Sequence, residues 1–499
     1  PRAVQLVIDA ITHTCPPASA LAIHDPRSRN APRIAAMPAV SRRRFSALAA
    51  GSGALAAAPA WAQEGGLSKD ERIGTLSRLI IFGGPTASGA AALELARIGD
   101  VSAAAALIFG MRFAGLTRRD IDQALQELTG EKETEGWFDW MLWQEANPQI
   151  VPHKSYPALA REMYLSIDSN FDQFLRPEHI VRERARIRLE EVTWGGVLKD
   201  GIPSLDNPDL IPAGAAEYLR SDDLVFGVAI NGDARAYPLR IMGWHEMFNE
   251  VIGGVPLALA YCTLCGSGIL FETDVAGRSD PFVFGSSGFL YRSNKLMFDR
   301  GTNSLWNQYT GEPVIGPLAN SGIILKQRPV VITTWEKWKA SNPSTMVLSL
   351  NTGHRRNYGS GVVYNDYFAS PELMFPAQVD QKAHAQKDYV FAIRQFGAAR
   401  AWPLDAFDGM PVINDAIAET PVLLVGDADA RSVRAYERGT RTFTPADGRI
   451  KEQDGVEWSV TESALIGPDD TRLPRVAGHI SYWFAWDNYM GDAATVYEG

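Results

Sequence analysis

Cys262 and Cys265, in a C-x-x-C spacing, are the residues whose type and separation offer chemistry most directly. Such a turn can chelate a soft metal or close a redox disulfide, because thiolate is both a ligand and a nucleophile. Two further soft or borderline donors flank the pair, His245 before it and Met297 after it. Imidazole, thiolate and thioether together favour copper, above all Cu(I), over hard cations. The sequence therefore suggests one metal site built from His245, Cys262, Cys265 and Met297, with copper as the cofactor. Each residue also has an ordinary explanation. Met297 lies in an apolar run and can be core packing. His245, beside Trp244, can be a buried and satisfied imidazole, and the cysteine pair can be an inert disulfide.

The elements that must position these groups are short and β-type. Val225–Ile230 and Ala234–Tyr237 read as strands joined by an Asn231-Gly232 turn. The apolar run Pro256–Ala260 leads into the cysteine pair, Phe284-Gly285-Ser286-Ser287-Gly288 reads as a small-residue turn, and Lys295–Arg300 follows. Ser286, Ser287 and Asp299 are expected to shape that turn rather than react. Much of this text recurs 165 residues later. Arg235-Ala236-Tyr237-Pro238-Leu239 matches Arg400-Ala401-Trp402-Pro403-Leu404, and Asn249, Ile252, Pro256 and Leu259 fall on Asn414, Ile417, Pro421 and Leu424. Trp335-x-x-Trp338 resembles Trp483-x-x-Trp486, and Ile315-Gly316-Pro317 resembles Ile466-Gly467-Pro468. An ordered recurrence of this kind indicates a duplicated unit, about 225–348 and 390–497. At the same offset His245 falls on Met410 and Cys262 on Asp427. A packed core needs volume and pattern rather than thiols, so the second copy reads as structural and one site per chain is expected.

Residues from Leu67 to about Leu189 carry a helical pattern instead. Trp137, Trp140 and Trp143 repeat on one helix face, a stripe that reads as core. The fold class is thus α+β, an N-terminal α-helical domain followed by a duplicated, β-rich pseudo-symmetric domain. Before the helices, Arg42-Arg43-Arg44-Phe45, an apolar run over Ala47–Pro59 and Ala60-Trp61-Ala62 follow the order of a signal peptide, with the paired arginines of the twin-arginine type. Translation is then expected to start at Met37. The expected division is 1–36 untranslated, 37–62 signal peptide, 63–190 α-helical domain, 191–380 first β-rich repeat with the Cys/His site, and 381–499 second repeat. With residues 1–36 untranslated Cys15 drops out, leaving Cys262 and Cys265 as the thiols of the exported protein. A net charge of -10 argues against a nucleic-acid partner, which would need a basic face. No apolar stretch of about 18 residues suggests a membrane span.

From about Trp194 onward the chain resembles the bacterial family known as domain of unknown function number 3179. The resemblance is carried by Asp200-Gly201-Ile202-Pro203-Ser204-Leu205-Asp206-Asn207-Pro208, Trp244-His245-Glu246, Tyr261-Cys262-Thr263-Leu264-Cys265-Gly266, Phe284-Gly285-Ser286-Ser287-Gly288-Phe289-Leu290-Tyr291, and Met297-Phe298-Asp299-Arg300 with Ser304-Leu305-Trp306. The family pattern usually has proline where this chain has Thr263, and Val-Asn-Asp where it has Phe248-Asn249-Glu250; neither change removes a donor atom. The resemblance implies no activity. Three functions are compatible with the residues: a periplasmic or secreted soft-metal protein, a metal-free thiol–disulfide oxidoreductase, or a non-catalytic periplasmic binding module. The partner would be a periplasmic protein or a small molecule. An oxidoreductase predicts the cysteine pair at a helix N-terminus with one exposed sulfur; a binding module predicts both sulfurs buried and locked.

Overall fold

The computed structural model describes residues 66–113, 117–446 and 449–499. The leader features and the cleavage position lie outside these residues. Two compact units are present. The first takes in the described residues through Trp137 together with Val151–Leu159; the second comprises Phe138–Ile150 and Ala160–Gly499. Among the described residues no helix is long and apolar enough to cross a membrane.

The first unit is helical. Ser68 caps the helix Lys69–Phe82 through a reciprocal box with Glu71, satisfying amide groups that the first turn leaves unpaired. Gly99, at φ 69°, ends the helix Gly84–Ile98, a left-handed position that glycine adopts without a side-chain clash. Ala104–Met111 is buried at every residue. Of the tryptophan stripe, Trp140 is fully enclosed in the second unit and packs edge-on against Trp143 at 5.6 Å.

The second unit holds the duplication, and the register of its strands shows it. In the first copy a sheet runs Val331–Thr334, Leu224–Ile230, Asp233–Pro238, Met346–Leu348, with an extra edge strand Leu210–Pro212. In the second copy the order is His479–Tyr482, Tyr389–Gln395, Ala398–Pro403, Thr495–Val496. The last pairing is parallel in both. Arg235 and Ala236 face Met346 and Val347, and Arg400 and Ala401 face Thr495 and Val496. Three-stranded meanders follow the hairpins, Met247–Ile252/Val255–Cys262/Ser267–Glu272 and Val412–Ile417/Thr420–Asp427/Ser432–Glu437. Met247 pairs with Ala260 as Val412 pairs with Val425.

Side chains repeat along with the backbone. Asn249 bridges the backbone N–H and C=O of Phe284, at 2.8 Å each. Asn414 does the same to Phe443, at 2.7 and 2.9 Å. Arg235 and Tyr237 converge on the buried Glu250, and Arg400 and Trp402 converge on Asp415, each at 2.8 Å. The α+β class and the pseudo-symmetric duplication are as expected from the sequence. One local expectation fails. Phe284–Gly288 is not a turn but the start of a buried strand, Phe284–Tyr291. Gly288 satisfies the special backbone need there: at φ 85° a Cβ would lie 2.3 Å from the carbonyl oxygen of Val197, in the loop after Val192–Trp194, so the small residue allows that loop's backbone to approach the strand closely.

Candidate functional site

The cysteine pair sits in the turn between Val255–Cys262 and Ser267–Glu272, two strands that pair from Leu257/Glu272 to Cys262/Ser267. Cys265 N–H donates to the Cys262 carbonyl, and Gly266 at φ 60° completes the reversal. The helix N-terminus that the oxidoreductase reading predicts is therefore absent here; the pair is presented by a β-hairpin turn. Both cysteines are free and buried, and their Sγ atoms lie 2.8 Å apart. A disulfide bond is about 2.05 Å long, so bond formation asks for a sulfur displacement of less than about 1 Å.

The two sulfurs have different surroundings. Cys262, not Cys265, lines a small, partly open cleft of about 60 Å3 together with Val197, Ile202, Leu264, Ser286, Phe289 and Met374. Glu246, Thr263, Lys295 and Tyr364 form its polar part. Cys265 points inward, where Asn294 Nδ2 donates to its sulfur at 3.1 Å. Burial, then the contact with Cys262, pushes the Cys265 thiol well above its ordinary value.

A buried ion pair lies in the wall of the cleft. Lys295 Nζ is 2.9 Å from Glu246 Oε2, with both side chains almost wholly enclosed. Glu246 Oε1 also accepts from Thr263 Oγ1 at 2.9 Å and from Tyr364 OH at 3.2 Å. The helix Leu239–His245, begun by Pro238, ends with Glu246 at φ 55°, a left-handed conformation that costs a non-glycine residue about 1–3 kcal/mol. The Glu246 carbonyl in turn accepts from Tyr261 N–H at 2.8 Å. The strained turn thus delivers the carboxylate next to the cysteine loop.

The four residues proposed as metal ligands are not brought into one set. His245 is buried, but its Nδ1 lies 2.9 Å from the Pro203 carbonyl and its Nε2 2.6 Å from Tyr358 OH. Both ring nitrogens are engaged by oxygen partners, and the rings beside His245 are those of His354, at 5.2 Å, and Tyr358, at 5.8 Å. Met297 is fully buried within Asn294–Asp299, in register with Ser286 and Trp306, and does not line the cleft. Met247–Ile252 and Val255–Cys262 run antiparallel, but the imidazole leaves from the helix that precedes them rather than from either strand. Among the described residues no group of three or more His, Cys, Asp or Glu side chains is arranged to hold a metal ion. The donor set thus does not fit a four-ligand copper centre. Ser287 and Asp299 serve the structure, Ser287 donating to the Leu296 carbonyl and Asp299 accepting from Thr302 N–H and Trp306 Nε1.

Glu246, Lys295, Asn294 and Tyr364 were not singled out from the sequence. Glu246 and Lys295 stood inside quoted motifs, and a signal was present: two charged residues within strings otherwise dense in apolar side chains, where burial requires a partner. Nothing local marks Tyr364, which lies over 100 residues from the carboxylate it meets.

The class of protein defined by this fold and site is a duplicated β-rich domain carrying one buried dithiol beside a charged pair. The chain belongs to the family described as "Protein of unknown function (DUF3179)", whose model matches residues 199–493. Neither the curated proteins nor the solved structures contain a match to it.

Proposed function

We propose that this chain is an exported thiol–disulfide redox protein in which Cys262 is the reactive sulfur and Cys265 the resolving one. The observation that carries this is the asymmetry of the pair: two free sulfurs 2.8 Å apart, of which only Cys262 lines the cleft. In the oxidative half-cycle, Cys262 thiolate attacks a substrate disulfide R–S–S–R′. The new Cys262–S–R bond forms and R′S⁻ leaves. Cys265, once deprotonated, then attacks Cys262 Sγ, closing the intramolecular bond and releasing RS⁻, so two electrons pass from protein to substrate. Lys295 supplies positive charge in the same cleft, and Glu246 holds it there through the 2.9 Å pair.

Burial of both cysteine side chains is what a binding module would show, and the cleft beside Cys262 is what favours redox chemistry over it. Copper binding is the weaker alternative, because His245 would have to give up either Pro203 or Tyr358 to ligate. The Arg42-Arg43 leader supports a periplasmic or secreted location, where disulfides persist. Equilibration of purified protein with thiol–disulfide buffers of defined potential, followed by alkylation and mass analysis, tests the proposal. A Cys262–Cys265 disulfide that forms and opens reversibly supports it; permanently alkylatable thiols would contradict it.

A further inference from the structure

Cys265 has a neighbour whose orientation is fixed by a chain of hydrogen bonds with no freedom to reverse. Gln308 is fully buried, and its Nε2 donates to two backbone carbonyls, Ala260 at 2.8 Å and Ser267 at 3.3 Å. Its Oε1 must therefore face the other way, where Asn294 Nδ2 donates to it at 2.9 Å. The same Nδ2 sends its second hydrogen to Cys265 Sγ at 3.1 Å. Turning the Asn294 amide would set oxygen against Gln308 Oε1. Turning both would set oxygen against two carbonyls. The lock has a visible cost: Asn294 is fully buried and its Oδ1 has no hydrogen-bond partner among the described residues. A buried acceptor left unsatisfied costs free energy and calls for a compensating role. Here the donor end of the same amide is aimed at a sulfur.

We infer that Asn294 is the hydrogen-bond donor that stabilises Cys265 as the leaving sulfur when the Cys262–Cys265 disulfide is reduced. This rests on the dithiol cycle proposed above. A thiolate reductant RS⁻, entering from the cleft, attacks Cys262 Sγ. The R–S–Sγ bond forms, the Sγ–Sγ bond breaks, and the electron pair departs on Cys265 Sγ, which then takes a proton from solvent. The developing negative charge sits in a buried site, where a fixed N–H is most effective and needs no reorganisation. Gln308 is a positioning residue, acting only through Asn294.

The test is the rate at which dithiothreitol reduces the oxidised full chain at fixed pH, for wild type, Asn294→Ala and the nearly isosteric Asn294→Asp. A hydrogen bond to a charged group corresponds to a roughly ten- to hundredfold rate loss for either variant. A purely structural role moves the rate the other way, because loosening the packing exposes the buried sulfurs. Should Asn294→Ala fail to fold, Asn294→Asp carries the comparison, since its carboxylate repels the leaving thiolate at unchanged volume. Rates within about twofold of wild type, in a chain that does form the disulfide, overturn the role of Asn294 and leave the dithiol cycle standing. Failure of the wild type to form the disulfide overturns both.

Discussion

Replacing Lys295 by methionine should destabilise the second unit substantially, and by a mechanism that a second substitution can reverse. Lys295 and Glu246 are both almost wholly enclosed and 2.9 Å apart. Removing one member of a buried pair typically costs about 3–5 kcal/mol, because the other charge is left without compensation. Glu246 retains two donors, Thr263 Oγ1 and Tyr364 OH, which places the expected cost near the lower end, about 3 kcal/mol. The assay is urea unfolding read by tryptophan fluorescence, since Trp306 and Trp338 of the second unit are fully buried and report its opening. The double variant Lys295→Met, Glu246→Gln should recover at least about half of the loss, since no charge then remains buried. A single-variant cost below about 1 kcal/mol, or no recovery in the double variant, would refute the reasoning.

Further consequences concern the repeats, the histidines and the leader. Arg235→Ala should cost about 3–5 kcal/mol by stranding Glu250, and Arg400→Ala should cost less, because the Arg400–Asp415 pair is more exposed; equal costs in urea unfolding would contradict this ordering. His245 is pushed down to about 4, chiefly by burial, with the Pro203 carbonyl opposing and His354 and Arg356 adding to the shift. Its folded value lies below the ordinary 6.5, so the unfolded chain takes up the proton first and stability falls as pH drops from about 6.5 towards 4. The loss is at most on the order of 3 kcal/mol. His245→Gln should flatten the pH dependence of the urea midpoint over that interval, and an unchanged slope would count against it. His479, pushed down to about 3 by burial and then by Arg394, contributes in the same direction. Changing Arg42 and Arg43 to lysine should stop export, and N-terminal sequencing of the exported chain should begin near Gln63; efficient export of the variant would remove the twin-arginine assignment.

The duplication was legible because the two copies share the residues that fix strand register. Arg235/Arg400 and Asn249/Asn414 keep the same backbone and carboxylate partners, and such pairings survive divergence as long as the sheet does. The cysteine pair stood out as the candidate chemical centre for the complementary reason: nothing at Asp427 in the second copy replaces it, and Asp427 is engaged instead by Lys337. The metal set rested on donor chemistry, and the donors' placement was not legible: Leu239–His245 is a helix and its last turn sends the imidazole to Pro203 and Tyr358. Met297 was correctly placed on a strand, but burial in the strand centre made it core. Tyr364 and Tyr358, from the connection between the repeats, reach Glu246 and His245 across more than 100 residues, and no periodicity announces contacts of that range.

The central claim is that Cys262 and Cys265 form a reversible dithiol–disulfide couple opened from the Cys262 side. The most direct measurement traps the full chain with an alkylating agent after equilibration across a series of thiol–disulfide buffers, then locates each modification by peptide mass analysis. The account predicts a two-electron transition between a doubly alkylated chain and an intramolecular disulfide, with any mixed disulfide found on Cys262. Two thiols that stay alkylatable at every potential, or a mixed disulfide found on Cys265 alone, would contradict it.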